Sequence, residues 1–309
     1  MSTLPRIGVM LPTFDPFNLD TFPVVEAARV AERLGFDSVW AGDHLSYHAP
    51  VVDCLVSLAC AASVTRHVRL GTAILLGALR PAPLVATATA ALDRLSEGRF
   101  VLGLGAGGEN PAEYAAVDVD PRERGARLED LVRVLPQLWD GTATRFQGRK
   151  LDLDVPPLRP GPVQQPHPPI WLGGRSAAAR GRAARLAQGW MPVWMSATRL
   201  SHEIAELDRE AAEAGRACPD VALMMFAALG SDEASCRSDA ARLAHGQYGL
   251  GLDRLERWLV LGAGARLLDE VGAAGAAGAD EVILHATRPD WQGQFEAFAA
   301  ALGLEPRPE

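Results

Sequence analysis

Along almost the whole chain, short apolar runs alternate with longer stretches in which apolar residues recur every three or four positions. Ile7 to Leu11, Asp37-Ser-Val-Trp40 and Val68 to Leu76 read as short strands, and Phe100 to Leu104, with side chains on both faces, has the pattern of a parallel strand covered on both sides. Between them, Val24, Ala27, Ala28, Ala31 and Leu34 recur at helical spacing, with Asp20 placed to cap the start and Gly35 to stop the end. Asp53 to Ser63, Pro83 to Leu95 and Arg124 to Leu138 read as helices of the same kind. From about residue 142 to residue 169 the rhythm breaks into short alternating pieces rich in proline, which predicts an insertion carrying a hairpin, too short to be a domain. The alternation resumes with strands at Pro169 to Gly174, Gly189 to Val193, Val221 to Leu229 and Glu281 to His285. Helices lie at Ser176 to Leu186, Leu200 to Ala214, Asp232 to Gln247 and Trp291 to Leu302, with a further strand-helix pair ending near Ala274. Eight strand-helix pairs favour a (β/α)8 TIM barrel, one domain over residues 1–309, rather than an open doubly wound sheet.

In such a barrel the chemistry sits at the C-terminal ends of the strands. Those ends are mostly glycine or apolar, which suits a large planar cofactor better than a metal or a sugar phosphate. In Gly103-Leu-Gly-Ala-Gly-Gly-Glu109 the glycines remove side chains where the strand ends, so the backbone can lie against something flat or anionic. By itself the run is weak evidence, because it lacks the dinucleotide spacing. Glu109, Asn110 and Glu113 add polar groups beyond it. His44, after Asp43 at the end of the second strand, is the best acid/base candidate; the competing reading is a histidine that merely bonds the neighbouring backbone. Tyr47 and His48 lie in the loop that follows and could face substrate, whereas His67, His202 and His245 read as surface residues. Gly173-Gly-Arg-Ser176 opens a strand into a capped helix, so its free amides and Arg175 make a phosphate site.

Composition narrows the chemistry. The 309 residues are 48% hydrophobic and 22% charged, with net charge -8, which argues against nucleic acid or an anionic membrane surface as the partner. Neither a membrane span nor a signal peptide is apparent, giving a cytoplasmic expectation. Four cysteines without a C-x-x-C pair suggest neither zinc nor a disulfide framework, and the histidines form no metal-binding spacing, so no metal is expected. Lys150 is the one lysine and sits in a turn-like segment, which excludes a Schiff-base lysine on a strand.

Four stretches together resemble the bacterial luciferase-like flavin and deazaflavin oxidoreductases: Ala27 to Leu45, Arg69 to Leu75, Leu92 to Gly107 and Pro162 to Gly174. The resemblance covers nearly the whole chain and implies a luciferase-like barrel, a homodimer, and FMN or coenzyme F420 at the strand ends. It implies that Asp43 and His44 lie beside the deazaflavin ring and that Ala73-Ile74 is a non-proline cis peptide backing it. Ala106, Gly107 and Gly108 would follow the ring and ribityl chain, and Gly173, Gly174 and Arg175 would hold the phosphate. The Asp-His pair and Leu-Gly-Ala-Gly-Gly-Glu favour the coenzyme F420 branch, with His44, Asp43 and Glu109 as the catalytic set. The expected activity is hydride transfer between the deazaflavin and a small, neutral or moderately apolar substrate, such as an activated C=C or C=N bond. An FMN-dependent monooxygenase supplied by a reductase partner is the alternative, and a non-catalytic flavin-binding barrel the second.

Overall fold

The computed structural model describes residues 4–307. Eight parallel strands close on themselves: β1 (Arg6–Met10), β2 (Ser38–Ala41), β3 (Arg69–Thr72, resumed at Leu75–Leu76), β4 (Phe100–Gly105), β5 (Ile170–Gly173), β6 (Gly189–Met191), β7 (Asp220–Leu229) and β8 (Glu281–Ala286). Closure comes from β8 on β1, where Arg6 stands opposite Glu281. A further parallel strand, Leu259–Gly262, pairs with the last residues of β7, Phe226–Leu229, on the edge that β6 occupies lower down. The insertion contains the expected hairpin, Thr144–Gln147 against Asp152–Val155.

Aspartates fix the lower ends of the strands. The Asp37 carboxylate accepts the Ile7 amide at 2.8 Å, and the Asp280 carboxylate accepts the Val221 amide at the same distance. Each therefore ties the start of its own strand to a neighbour, which is why the sequence repeats a helix-ending glycine followed by aspartate (Gly35 and Asp37, Gly278 and Asp280). The barrel interior is filled by Trp40 and Trp171, whose rings lie 5.5 Å apart, together with Met10, Val101, Met191 and Ile283. Gly71 and Gly189 are required there, because a β-carbon on either would overlap an indole ring. Beneath them Glu281, fully buried, accepts from Ser38, from Trp40 Nε1 at 3.1 Å and from Arg69. The larger apolar layer lies between the strands and the surrounding helices.

Two local expectations are corrected. Asp20 caps no helix: its amide donates to Asp15 at 2.7 Å and its φ is +53°, so the helix begins at Val24 after Pro23, without a side-chain cap. Asp15, buried and accepting from both Leu19 and Asp20, organises this loop instead. The run Val68 to Leu76 is also not one strand. It divides at Ala73-Ile74, whose peptide is cis.

Candidate active site

The upper ends of the strands open into a cavity of about 570 Å³. His44 reaches it from the end of β2 and is held from two sides. Nδ1 lies 3.1 Å from Glu113, and Nε2 lies 3.5 Å from Glu109. Glu113 comes from a short helix, Pro111–Ala116, that Asn110 caps by accepting the Ala112 amide. Its carboxylate is buried and also accepts the Leu45 and Ser46 amides, at 2.6 and 3.1 Å, so it fixes both the imidazole and the loop that carries it. Since Glu113 can only accept, the His44 Nδ1 carries a proton and donates it. Burial opposes a charge on His44, but the hydrogen bonds and charges of Glu109 and Glu113 outweigh it, and the imidazole binds a proton more tightly than an ordinary histidine. Tyr47 stacks on the same ring at 3.8 Å.

Asp43 lines the cavity but is fully engaged. One carboxylate oxygen accepts the Leu76 amide at 2.9 Å and the other pairs with Arg80 at 2.8 Å. It therefore fixes the chain just after the cis peptide rather than offering a free group. Ile74 then projects over the glycines of β4 and β5. A β-carbon on Gly103 would overlap the Thr72 carbonyl oxygen, and one on Gly105 would overlap the Ile74 side chain. Most of the space left by these glycines is thus filled by the protein's own chain. Gly107 and Gly174 serve another purpose: φ values of +65° and +118° turn the chain at the cavity wall where other residues are strained.

One end of the cavity is cationic. The helix Ala177–Leu186 points its N-terminus there, with Ser176 accepting the Ala179 amide at 3.2 Å. Arg182, one turn further on, lines the same space with Arg122 and Arg124. Free amides beside guanidinium groups, Arg182 also pairing with Glu129 at 3.3 Å and Arg122 with Asp120 at 2.6 Å, give this end the character of an anion site.

The candidate residues His44, Asp43, Glu109, Ala73, Ile74, Ala106, Gly107, Gly173 and Gly174 all line this one cavity. Gly108 and Arg175 do not. Gly108 is exposed beside Arg124, and the Arg175 guanidinium lies over the rings of Trp194 and Trp258, at 5.4 and 5.5 Å. Sequence reasoning missed Arg122, Arg124 and Arg182 at the anion end, and it named Glu113 only as a polar neighbour. Among the described residues no group of three or more His, Cys, Asp or Glu side chains is placed to hold a metal ion, and no helix is long and apolar enough to cross a membrane.

Residues 6–305 match the family described as luciferase-like monooxygenase. An F420-dependent glucose-6-phosphate dehydrogenase of Nakamurella multipartita is 33% identical over 54% of this chain and 51% of its own. An F420-dependent hydroxymycolic acid dehydrogenase of Mycobacterium tuberculosis is 32% identical over 75% of this chain and 65% of its own. The chain thus spans about half the length of the first of these relatives and under two thirds of the second. Among solved structures, an F420-dependent secondary alcohol dehydrogenase in complex with an F420-acetone adduct superposes with a TM-score of 0.83 at 20% identity, over 97% of this chain and 99% of that one.

Proposed function

Because the chain belongs to the luciferase-like monooxygenase family, we propose that it is a coenzyme F420-dependent oxidoreductase, passing a hydride between the deazaflavin and a neutral or moderately apolar organic substrate. The observation that carries this reading is His44, held as a proton donor between Glu113 and Glu109 in a cavity that ends in arginines. The F420-dependent names of both curated relatives support the choice of cofactor.

The residues present fit such a cofactor. Arg122, Arg124, Arg182 and the amides at the start of the Ala177–Leu186 helix would hold its phosphate, and Ile74, Leu76 and Ala106 offer an apolar wall. When bound, a deazaflavin supplies hydride transfer at carbon and no oxygen adduct. Reducing a C=C or C=N bond adds one hydride and one proton, and the proton is what this chain controls. Glu113 holds the Nδ1 proton in place, which leaves the Nε2 proton of the imidazolium for the substrate. Glu109, 59% exposed beside Nε2, is placed to return a proton from solvent. A second anionic group on the substrate would meet Glu109 near His44, which supports a neutral substrate.

Titrating the purified protein with coenzyme F420 and with FMN in parallel, by fluorescence, tests the reading. Tight binding of the deazaflavin alone is expected, whereas selective FMN binding would make the protein a monooxygenase. His44→Ala should keep cofactor affinity and lose turnover; unchanged turnover would remove His44 from the mechanism.

A further inference from the structure

Aromatic side chains run in a continuous arc from His44 across the cavity. Tyr47 stacks on His44, Tyr248 stands edge-on to Tyr47 at 6.1 Å, Phe226 lies 6.1 Å from Tyr248, and His285 stacks on Phe226 at 4.6 Å. Trp194 joins the arc 5.4 Å from Tyr248, held at φ +55°, a backbone region rare for a bulky side chain and characteristic of functional sites. All of these residues line the cavity.

Among the described residues, polar atoms along this arc lack partners. Gln247, 3% exposed, donates from Nε2 to the Tyr248 hydroxyl at 3.1 Å, leaving its own Oε1 unpartnered and the tyrosine proton free. Trp194 Nε1 is buried with nothing to donate to. His285 donates from Nδ1 to the Ala286 carbonyl at 3.0 Å, and burial lowers its pKa to about 4, so near neutral pH Nε2 presents a lone pair. Two acceptors, Gln247 Oε1 and His285 Nε2, and two donors, Trp194 Nε1 and Tyr248 Oη, therefore belong to residues that line the same cavity. Leaving such groups unpaired on burial is unfavourable. A hydroxyl, which both donates and accepts, answers this set. A carboxylate would face the two acceptors and Glu109, and an ammonium group would leave the two donors unused.

We propose that the arc is a substrate subsite for a flat, neutral aromatic compound carrying a hydroxyl group, with Gln247, Trp194 and His285 as the residues that recognise the hydroxyl. This deepens the oxidoreductase reading and rests on it for which bond is reduced, while the binding itself does not depend on it.

The test measures calorimetric binding of 4-hydroxybenzaldehyde, benzaldehyde and glucose 6-phosphate to the wild-type protein, to Gln247→Leu and to Trp194→Phe, with coenzyme F420 affinity measured alongside. The hydroxylated aldehyde should bind at least about tenfold more tightly than benzaldehyde, as expected where a site is built to bond a hydroxyl. Gln247→Leu should abolish that difference and Trp194→Phe reduce it, both with unchanged coenzyme F420 affinity. Equal binding of the two aldehydes, a preference that survives Gln247→Leu, or tighter binding of the sugar phosphate overturns the proposal. Loss of coenzyme F420 binding with the aldehyde preference intact would overturn the cofactor reading and leave the subsite standing.

Discussion

The glycines of β4 make two different demands, and paired alanine substitutions separate them. In Gly103→Ala the new methyl meets backbone: the Thr72 carbonyl oxygen first, then its carbon at 3.1 Å. Thr72 cannot retreat easily, because its hydroxyl donates to the Gly103 carbonyl at 2.6 Å and the next amide, Ala73, donates to the Ala41 carbonyl at 2.7 Å. Breaking those two buried bonds at about 1–3 kcal/mol each, on top of about 1–3 kcal/mol of overpacking, gives an expected loss of about 3 to 9 kcal/mol. In Gly105→Ala the methyl meets the far end of the Ile74 side chain, which can turn to another rotamer. Rotamer strain and overpacking, offset in part by the stiffer unfolded chain, give about 1–2 kcal/mol. Adding Ile74→Ala should then recover most of the Gly105→Ala loss and none of the Gly103→Ala loss. Guanidinium chloride midpoints at constant slope measure all four variants. The reasoning fails if Gly103→Ala is no more destabilising than Gly105→Ala, or if Ile74→Ala rescues both.

Further outcomes follow from the site and the barrel floor. Glu113→Gln removes the charge on Nδ1, so the NMR titration of His44, assigned with His44→Ala, should move to lower pH; an unmoved curve would show that Glu113 does not set its protonation. The stability that a raised proton affinity contributes is full below the ordinary histidine range and lost as pH rises through the folded-state value, so in Glu113→Gln that contribution should be smaller and its loss complete at lower pH. Arg182→Ala should weaken coenzyme F420 binding roughly tenfold to hundredfold, the worth of one charge-assisted hydrogen bond, and unchanged affinity by fluorescence titration would place the phosphate elsewhere. Glu281→Ala strands the Trp40 and Ser38 donors and unpairs Arg69, and should lower unfolding free energy by about 2 to 4 kcal/mol. That figure is below the value for a fully buried pair because Arg69 is 30% exposed. A change under about 1 kcal/mol would refute it.

The barrel was legible because strand and helix periods differ and glycine marks the joins; the strand ends then pointed to one cavity. Asp20 misled because a capping residue type three places before an apolar stripe says nothing of Asp15, which takes its amide. Val68 to Leu76 reads as uninterrupted because Leu70 and Ala73 to Leu76 are apolar and no proline or charged residue marks the division. Glu113 carried a readable signal: Asn110 and Pro111 start a helix that places it one turn in. Its bond to His44 spans 69 positions, however, and only the closed barrel makes that pair. The same holds for Arg182, which comes from a helix distant in sequence and meets Arg122 and Arg124, themselves neighbours where one short turn runs into the next helix, only when the barrel packs them together.

The exchange of neighbours along β7 gives the protein a place to change. Below Met224 this strand is joined to β6, and from Phe226 onward the same edge belongs to Leu259–Gly262. At that changeover Trp194 and Trp258 stack 6.3 Å apart, so side chains rather than ladder hydrogen bonds fill the gap. Point changes at this seam would alter the size or polarity of the cavity beside Trp194 while leaving the closed sheet intact.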